Sequence, residues 1–355
     1  MHCKVFLTLI PAFFTLSTKA QSNIHIYGIL DTGIGYAKAK ESKASLRGGD
    51  LLAPRLGFKG REFINSDLEI NFALEGTVSI DNGSGAPTNT NNQSSGLSSS
   101  SDFKFNRQSW VGFKSHFGEL RFGRNFNPTY RQYIAYDPFQ GGGPAASQIA
   151  QSSFSTHGYP IAGIRHSNAI EYWFINEKIS TQLMYAMGEN SSGSNDGDYL
   201  ASRLSFKFSE SDFGVAYAKN KNTSLKDITE ISIGGSHKFG PVNFSALLMT
   251  SKIGLKDKQH GAMLAAVYKE GPFEYRLSLS QSKTKNSLGD LNAKSSKVAG
   301  ALIYSLSKRS SIYTLGAFVR NSHGAASSPL GTLSLQETGV NHNVKYISLG
   351  LTHVF

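Results

Sequence analysis

Thirteen residues, Leu68 to Ile80 (LEINFALEGTVSI), restrict the fold of this chain more than any other stretch. Leu68, Ile70, Phe72, Leu74, Val78 and Ile80 occupy one parity, and Glu69, Asn71, Ala73, Glu75, Thr77 and Ser79 the other. A period of two sustained that long is a β-strand with one apolar and one polar face. Strands of soluble domains average about 5–6 residues, whereas a strand crossing the apolar layer of a membrane needs about 9–11. After residue 20 no apolar run reaches the roughly 18–20 residues of a membrane helix. A closed barrel is the remaining way to cross, because unpaired N–H and C=O groups cost several kcal/mol each in lipid.

The alternation recurs along the chain. Strands are predicted at 24–36, 52–63, 68–80, 104–113, 120–124, 165–174, 179–187, 200–208, 213–219, 229–239, 242–251, 261–269, 273–282, 297–306, 311–320 and 344–355, sixteen in all. Short connections (65–67, 115–119, 176–178, 209–212, 240–241, 270–272, 307–310) alternate with long ones near 38–51, 81–102, 125–164, 188–199, 220–228, 252–260, 283–296 and 321–343. Tight turns on one rim, long loops on the other and an even strand count describe an all-β, antiparallel, up-and-down transmembrane β-barrel of 16 strands. A sandwich or propeller has no reason to keep that alternation. Phe63, Phe117, Phe174, Phe208, Phe213, Phe239, Phe244, Phe273 and Phe355 fall at or near the short-turn ends, as one interfacial girdle would. Sixteen strands enclose more space than side chains fill, so the lumen is expected to hold water.

One segment, 125–164, has neither alternation nor a helical stripe of useful length. Loops this long are uncommon in compact folds unless functional or disordered. Phe126, Tyr130, Tyr133, Tyr136, Phe139, Phe154 and Tyr159 make it too aromatic for a disordered composition. It is expected to fold inside what the strands enclose.

The first twenty residues read as a secretory signal: Lys4, the apolar run Val5 to Leu16, then Thr18-Lys19-Ala20 with cleavage after Ala20. The single cysteine, Cys3, lies within it, so the mature chain at 21–355 has no disulfide or thiolate ligand. Removing Lys4 and Lys19 leaves 34 basic and 25 acidic residues, a net of +9. That surplus suits anions and lipopolysaccharide phosphates; nucleic acid is discounted as a partner for an exported chain.

Five stretches stand out: IHIYGILDTGIGY at the mature start, PRLGFKGRE at Pro54–Glu62, NRQSWVGFKSHFGELRFGRNFNP at Asn106–Pro128, RHSNAIEY at Arg165–Tyr172 and SLGLTHVF ending on Phe355. In order and spacing they resemble the Gram-negative general porins of the neisserial and β-proteobacterial type. The resemblance implies an outer-membrane homotrimer of 16-stranded barrels with the third long loop folded inward, and a terminal Phe355 strand read by the barrel-assembly machinery. It also implies a basic ladder on the wall facing acids on that loop. The matching positions are Arg55, Lys59, Arg124 and Arg165 for the ladder and Asp137 for the acid. Asp137 is the only carboxylate between 125 and 164, which tilts the constriction basic. Parity alone turns Arg55 and Lys59 away from the lipid face, and does the same for Arg203, Lys207, Lys238 and Arg276, since a charge facing lipid at midplane costs about 2–4 kcal/mol. Arg124 has the parity of Leu120 and Phe122, so its inward aim rests on the resemblance.

The expected function is passive diffusion of small hydrophilic solutes and ions, anions preferred, with loop bulk setting size and fixed charge setting ion preference. No enzyme, cofactor or metal is expected. There is no Gly-x-Ser-x-Gly or P-loop, and His157 and His166 lack a carboxylate set. An enzyme barrel, a plugged surface adhesin and a solute-specific channel are the competing readings.

Overall fold

The computed structural model describes residues 23–98, 102–149, 163–191, 193–222, 227–253, 257–285, 292–330 and 335–355. The expected signal segment 1–20 and the loop positions Phe154, His157 and Tyr159 lie outside these residues.

One antiparallel sheet closes on itself. The first strand, β1 (Asn23–Lys38), pairs with the last, β17 (Val344–Val354), from Ile29↔Val354 to Lys38↔Lys345. Phe355 extends the seam, exchanging backbone hydrogen bonds of 3.0 and 3.1 Å with Gly28. Closure removes the edges that lipid would not tolerate. Between them run β4 (Glu69–Thr77), β5 (Gln108–Ser115), β6 (Gly118–Phe126), β7 (Arg165–Ile175), β8 (Ile179–Ala186), β9 (Tyr199–Phe208), β10 (Ser211–Asn220), β11 (Ile228–Phe239), β12 (Val242–Ile253), β13 (Asp257–Glu270), β14 (Phe273–Lys285), β15 (Asn292–Ser305) and β16 (Ser310–Ser322), each beside its sequence neighbours.

The long loop expected at 38–51 is not there. Lys38 faces Ser42 across a tight turn, and β2 (Ser42–Gly48) returns along one half of β1 while β3 (Arg55–Phe63) takes the other. The two are halves of one barrel strand, which makes 16. The break between them wraps a buried carboxylate. Asp31 Oδ1 accepts the N–H groups of Gly49, Asp50 and Leu51 at 3.1, 3.0 and 3.5 Å and the Tyr313 hydroxyl at 2.9 Å, and Oδ2 accepts Leu52 N–H at 3.2 Å. Likewise β12 and β13 leave only 254–256 between them, not 252–260. In both places the strands continue beyond the apolar layer with Ser, Lys and Gln. Backbone pairing persists there after the hydrophobic alternation has faded.

The faces sort as parity requires. Ile24, Ile34, Leu264 and Leu349 are 66%, 69%, 63% and 66% exposed on the outer face, and Asp31, on the opposite parity of β1, is fully buried. The phenylalanines of the expected girdle are exposed at the short-turn rim, with Phe174 half-buried. The tight turns use side-chain caps: Asn65 Oδ1 accepts the N–H groups of Asp67 and Leu68, both at 2.9 Å, and Asn176 Oδ1 those of Lys178 and Ile179 at 2.9 and 2.7 Å.

Candidate functional site

The segment after β6 turns into the barrel. Asn127 caps a nine-residue helix, α1 (Pro128–Tyr136), accepting the Tyr130 N–H at 2.8 Å, with Pro128 in the first turn. The sequence showed no helical stripe here because the helix is short and buried on several sides: Tyr130, Gln132, Tyr133 and Tyr136 are all enclosed. Phe126, Tyr130, Tyr133, Tyr136 and Ile149 pack on Leu247, Met249, Met263 and Ala265 of β12 and β13. Farther on, Phe139, Ala145 and Ala146 pack on Ala299, Ile303, Tyr313 and Leu315 of β15 and β16. A Cβ at Gly234 would stand 2.4 Å from Tyr136 Cδ2, so the wall is bare where the helix lies closest. At the loop tip Gly143 (φ +71°) touches the backbone of Asp50, where a Cβ would stand 2.3 Å from its carbonyl oxygen.

Polar contacts complete the docking, and they use residues expected to be lumen charges. Arg203 Nε donates to Gln132 Oε1 at 2.9 Å, and Gln132 donates to Gly214 O at 2.6 Å. Arg276 donates to Glu274 at 2.6 Å and to Pro138 O at 2.8 Å. The buried Lys297 ammonium donates to Pro144 O and Ala146 O at 3.2 and 2.8 Å. Lys207 and Lys238 stay exposed near the short-turn mouth.

Asp137 is 3% exposed and turned into the loop, not toward the lumen. Its carboxylate accepts the N–H groups of Phe139 at 2.9 Å and Ser147 at 2.7 Å. Burial pushes its carboxyl up; those two hydrogen bonds and the charge of Lys297 pull it back. Among the described loop residues, the exposed ones, Ala135, Gln140 and Gly163, are uncharged.

The described loop residues pack from β8 round to β17 and β1, and the tip reaches Asp50, so the wall they leave uncovered runs through β3 to β6. Lys59 is exposed there, its ammonium 5.3 Å from the Tyr27 ring. Arg55 donates to Ala53 O at 2.9 Å and lies 3.9 Å from Glu75. Glu75 is held more tightly by Arg107, at 2.6 Å, and by the Tyr27 hydroxyl at 3.0 Å. Arg165 stacks on Phe126 at 4.2 Å, and Arg107 and Arg131 stand 5.7 and 5.5 Å from the same ring. These stacks fix guanidinium planes without neutralising them. Arg55, Lys59, Arg107 and Arg165 thus gather around Glu75, while Glu119 and Glu171 on the same wall are engaged by Arg121 and by Asn125 and Trp173.

Arg124 is elsewhere. It lies at a register shift between Gly123 and Asn125 in the pairing of β6 with β7, and its guanidinium donates to Asn106 O at 2.8 Å, Asn89 O at 3.2 Å and Ser167 Oγ at 2.8 Å. It clamps the loop between β4 and β5 to the barrel. Arg124→Ala should leave the barrel intact and open that loop to limited proteolysis; equal resistance to protease would reject the clamp. His166 stacks on Tyr199 at 3.5 Å.

A 16-stranded barrel with a loop folded inside is the frame on which the comparisons bear. Residues 7–324 match the family described as Gram-negative porin. The chain belongs to the Gram-negative porins. It is 28% identical over 360 residues to outer membrane porin protein 32 of Delftia acidovorans, covering 95% of each chain. Its structure is similar to the anion-selective porin from Comamonas acidovorans, with a TM-score of 0.81 and 25% identity over 94% of this chain and 100% of that one. Salmonella typhi OmpF shares the fold, with a TM-score of 0.64 at 15% identity over 94% and 97%. This porin is therefore an outer-membrane channel.

Sequence reasoning missed Arg107 and Lys297 in the porin's wall. Lys297 opposes Val298 and shares the parity of Ala299, which marks it as inward. The loop bed was legible too: Leu247, Met249 and Met263 are apolar at inward parity, out of place in a wet lumen unless something covers them.

Proposed function

We propose that this porin conducts small anions in preference to cations. The observation that carries the reading is the asymmetry of the constriction: Arg55, Lys59 and Arg165 stand near Glu75, which Arg107 already neutralises, while the loop's Asp137 is turned away from the passage. Fixed positive charge in a narrow, partly low-dielectric channel raises local anion concentration. The similarity to a porin named as anion-selective supports the same sign. The roles assigned are selectivity for Arg55, Lys59, Arg107 and Arg165, and loop docking for Asp137, Arg203, Arg276 and Lys297. Planar-bilayer recording across a KCl gradient tests this: stepwise conductance should reverse on the chloride side, and reversal on the cation side would reject the charge assignment.

The same reading has the chain exported by a cleaved signal at 1–20, assembled as a homotrimer, in contact with lipopolysaccharide on its outer face, and free of catalysis. Phe355 is proposed as the residue read by the assembly machinery. Its ring packs over Gly28, where a Cβ would stand 2.4 Å from Phe355 Cζ, and it completes the seam between the first and last strands. Deleting Phe355 should cut the yield of heat-modifiable barrel in the outer membrane about tenfold or more, while refolding in detergent falls far less. Equal losses in both would make Phe355 a seam residue only.

A further inference from the structure

Two rows of cations stand on the outer face of the barrel near the long-loop rim. In the upper row Lys252, Lys258 and Lys285 are direct cross-strand neighbours on β12, β13 and β14. In the row below, His260, Lys283 and Lys294 are neighbours on β13, β14 and β15. Each shares the parity of a lipid-facing residue on its own strand: Leu248, Leu264, Leu279 and Val298 are 56%, 63%, 48% and 48% exposed. The lysines of the upper row and Lys283 are exposed, and none of the five makes a salt bridge among the described residues.

Like charges directly opposite across a ladder destabilise a sheet. Here they lie three in a row, and among the described residues no carboxylate pairs with the lysines. The device recurs farther round the barrel, where Lys345 on β17 faces Lys38 on β1. The other end of the same strands is different. Outward positions there hold Tyr268, Phe273, Tyr275 and Tyr304, with Tyr268 and Tyr275 ring centroids 5.8 Å apart and Phe273 and Tyr304 5.0 Å apart. The outer face is thus aromatic at the short-turn rim and cationic at the long-loop rim. Long loops face the exterior in this architecture, so the cations sit at the headgroup level of the outer leaflet, their aliphatic stems lying along the apolar band.

We propose that this patch binds a phosphate group on the headgroup of the outer-leaflet glycolipid, lipopolysaccharide. The proposal rests on the reading above that the outer face meets that lipid. Adjacent strands are about 4.8 Å apart and same-face residues about 7 Å apart along a strand. Five ammonium groups therefore border an area about 10 Å across, into which one phosphate fits with several charge-assisted hydrogen bonds. An anionic headgroup is the occupant that turns the repulsion within the rows into attraction.

The test uses refolded full-length barrel and purified lipopolysaccharide, with binding read by native mass spectrometry and by the temperature at which the folded band is lost on gels. Wild type should bind saturably and salt-sensitively. K258Q/K283Q/K285Q should bind on the order of 100-fold more weakly, with single-channel conductance unchanged. K308Q/R309Q at the opposite rim should bind as wild type does. K258R/K283R/K285R should retain binding, which separates lost charge from a damaged surface. Equal binding by the glutamine variant would overturn the proposal, and so would equal binding of dephosphorylated lipid by wild type. Inorganic pyrophosphate binding as tightly as the lipid would reassign the patch to free anions. Lost conductance in wild type would instead strike the channel reading itself.

Discussion

Replacing Arg55 and Arg165 with Ser is expected to lower the anion-to-cation permeability ratio by roughly 10- to 30-fold and leave the barrel folded. Both are proposed to line the constriction, Arg55 on the wall and Arg165 at the base of the loop, and their partners are an aromatic ring, a carbonyl and a carboxylate already held by Arg107. A unit charge about 8 Å from the ion path at an effective dielectric constant of about 40 is worth about 1 kcal/mol, with opposite sign for the two ions. Screening at about 0.1 M salt roughly halves that, which gives a severalfold change in the ratio per charge. Neither side chain spans the lipid layer or closes a strand pair, so stability should change little. The check is the zero-current potential across a KCl gradient. An unchanged potential would remove both residues from selectivity and leave Lys59 and Arg107 as the carriers.

Asp137→Ala should release the inner loop. The substitution strips two backbone N–H groups of their acceptor and leaves the buried Lys297 ammonium without its facing charge. Breaking a buried charged arrangement by removing one partner costs about 3–5 kcal/mol, and the loop can avoid that by leaving its bed. Single-channel conductance is expected to rise by about half or more and become noisy, and liposome swelling should admit larger sugars. The strands do not depend on the loop, so heat-modifiability of the barrel should be retained. Asp137→Ala with Lys297→Met removes both charges and should restore part of the quiet, small conductance. If the single variant conducts as quietly as wild type, the loop is held by its apolar contacts with Leu247, Met263 and Ile303 alone.

The strand ladder was legible because lipid enforces it. A residue that faces hydrocarbon must be apolar and its neighbour need not be, so Leu68 to Ile80 announces its own two faces, and the alternation of turn lengths follows from threading such strands back and forth. Beyond the lipid layer that pressure ends. β2 was missed for this reason, since SKASLRG has one large outward apolar residue, Leu46, yet pairs with β1 at every position. Asp31, which organises the break after β2, shows only as an inward polar residue in the sequence, because its partners are backbone N–H groups brought to it by that break.

The sequence by itself determined the barrel, its strand count, its inner loop and the basic bias of the lumen, each of them written in periodicity or composition. Only the tertiary structure decided which charges face the passage. Inward parity places a side chain in the lumen but not against open water there. Arg203, Arg276 and Lys297 are inward and are consumed in docking the loop, Asp137 is turned into the loop it braces, and Arg124 is held by carbonyls of the connection between β4 and β5. Lys59 stays exposed, with Arg55 part-buried beside it, because the loop packs on other staves, and contacts between residues a hundred or more positions apart hold it there.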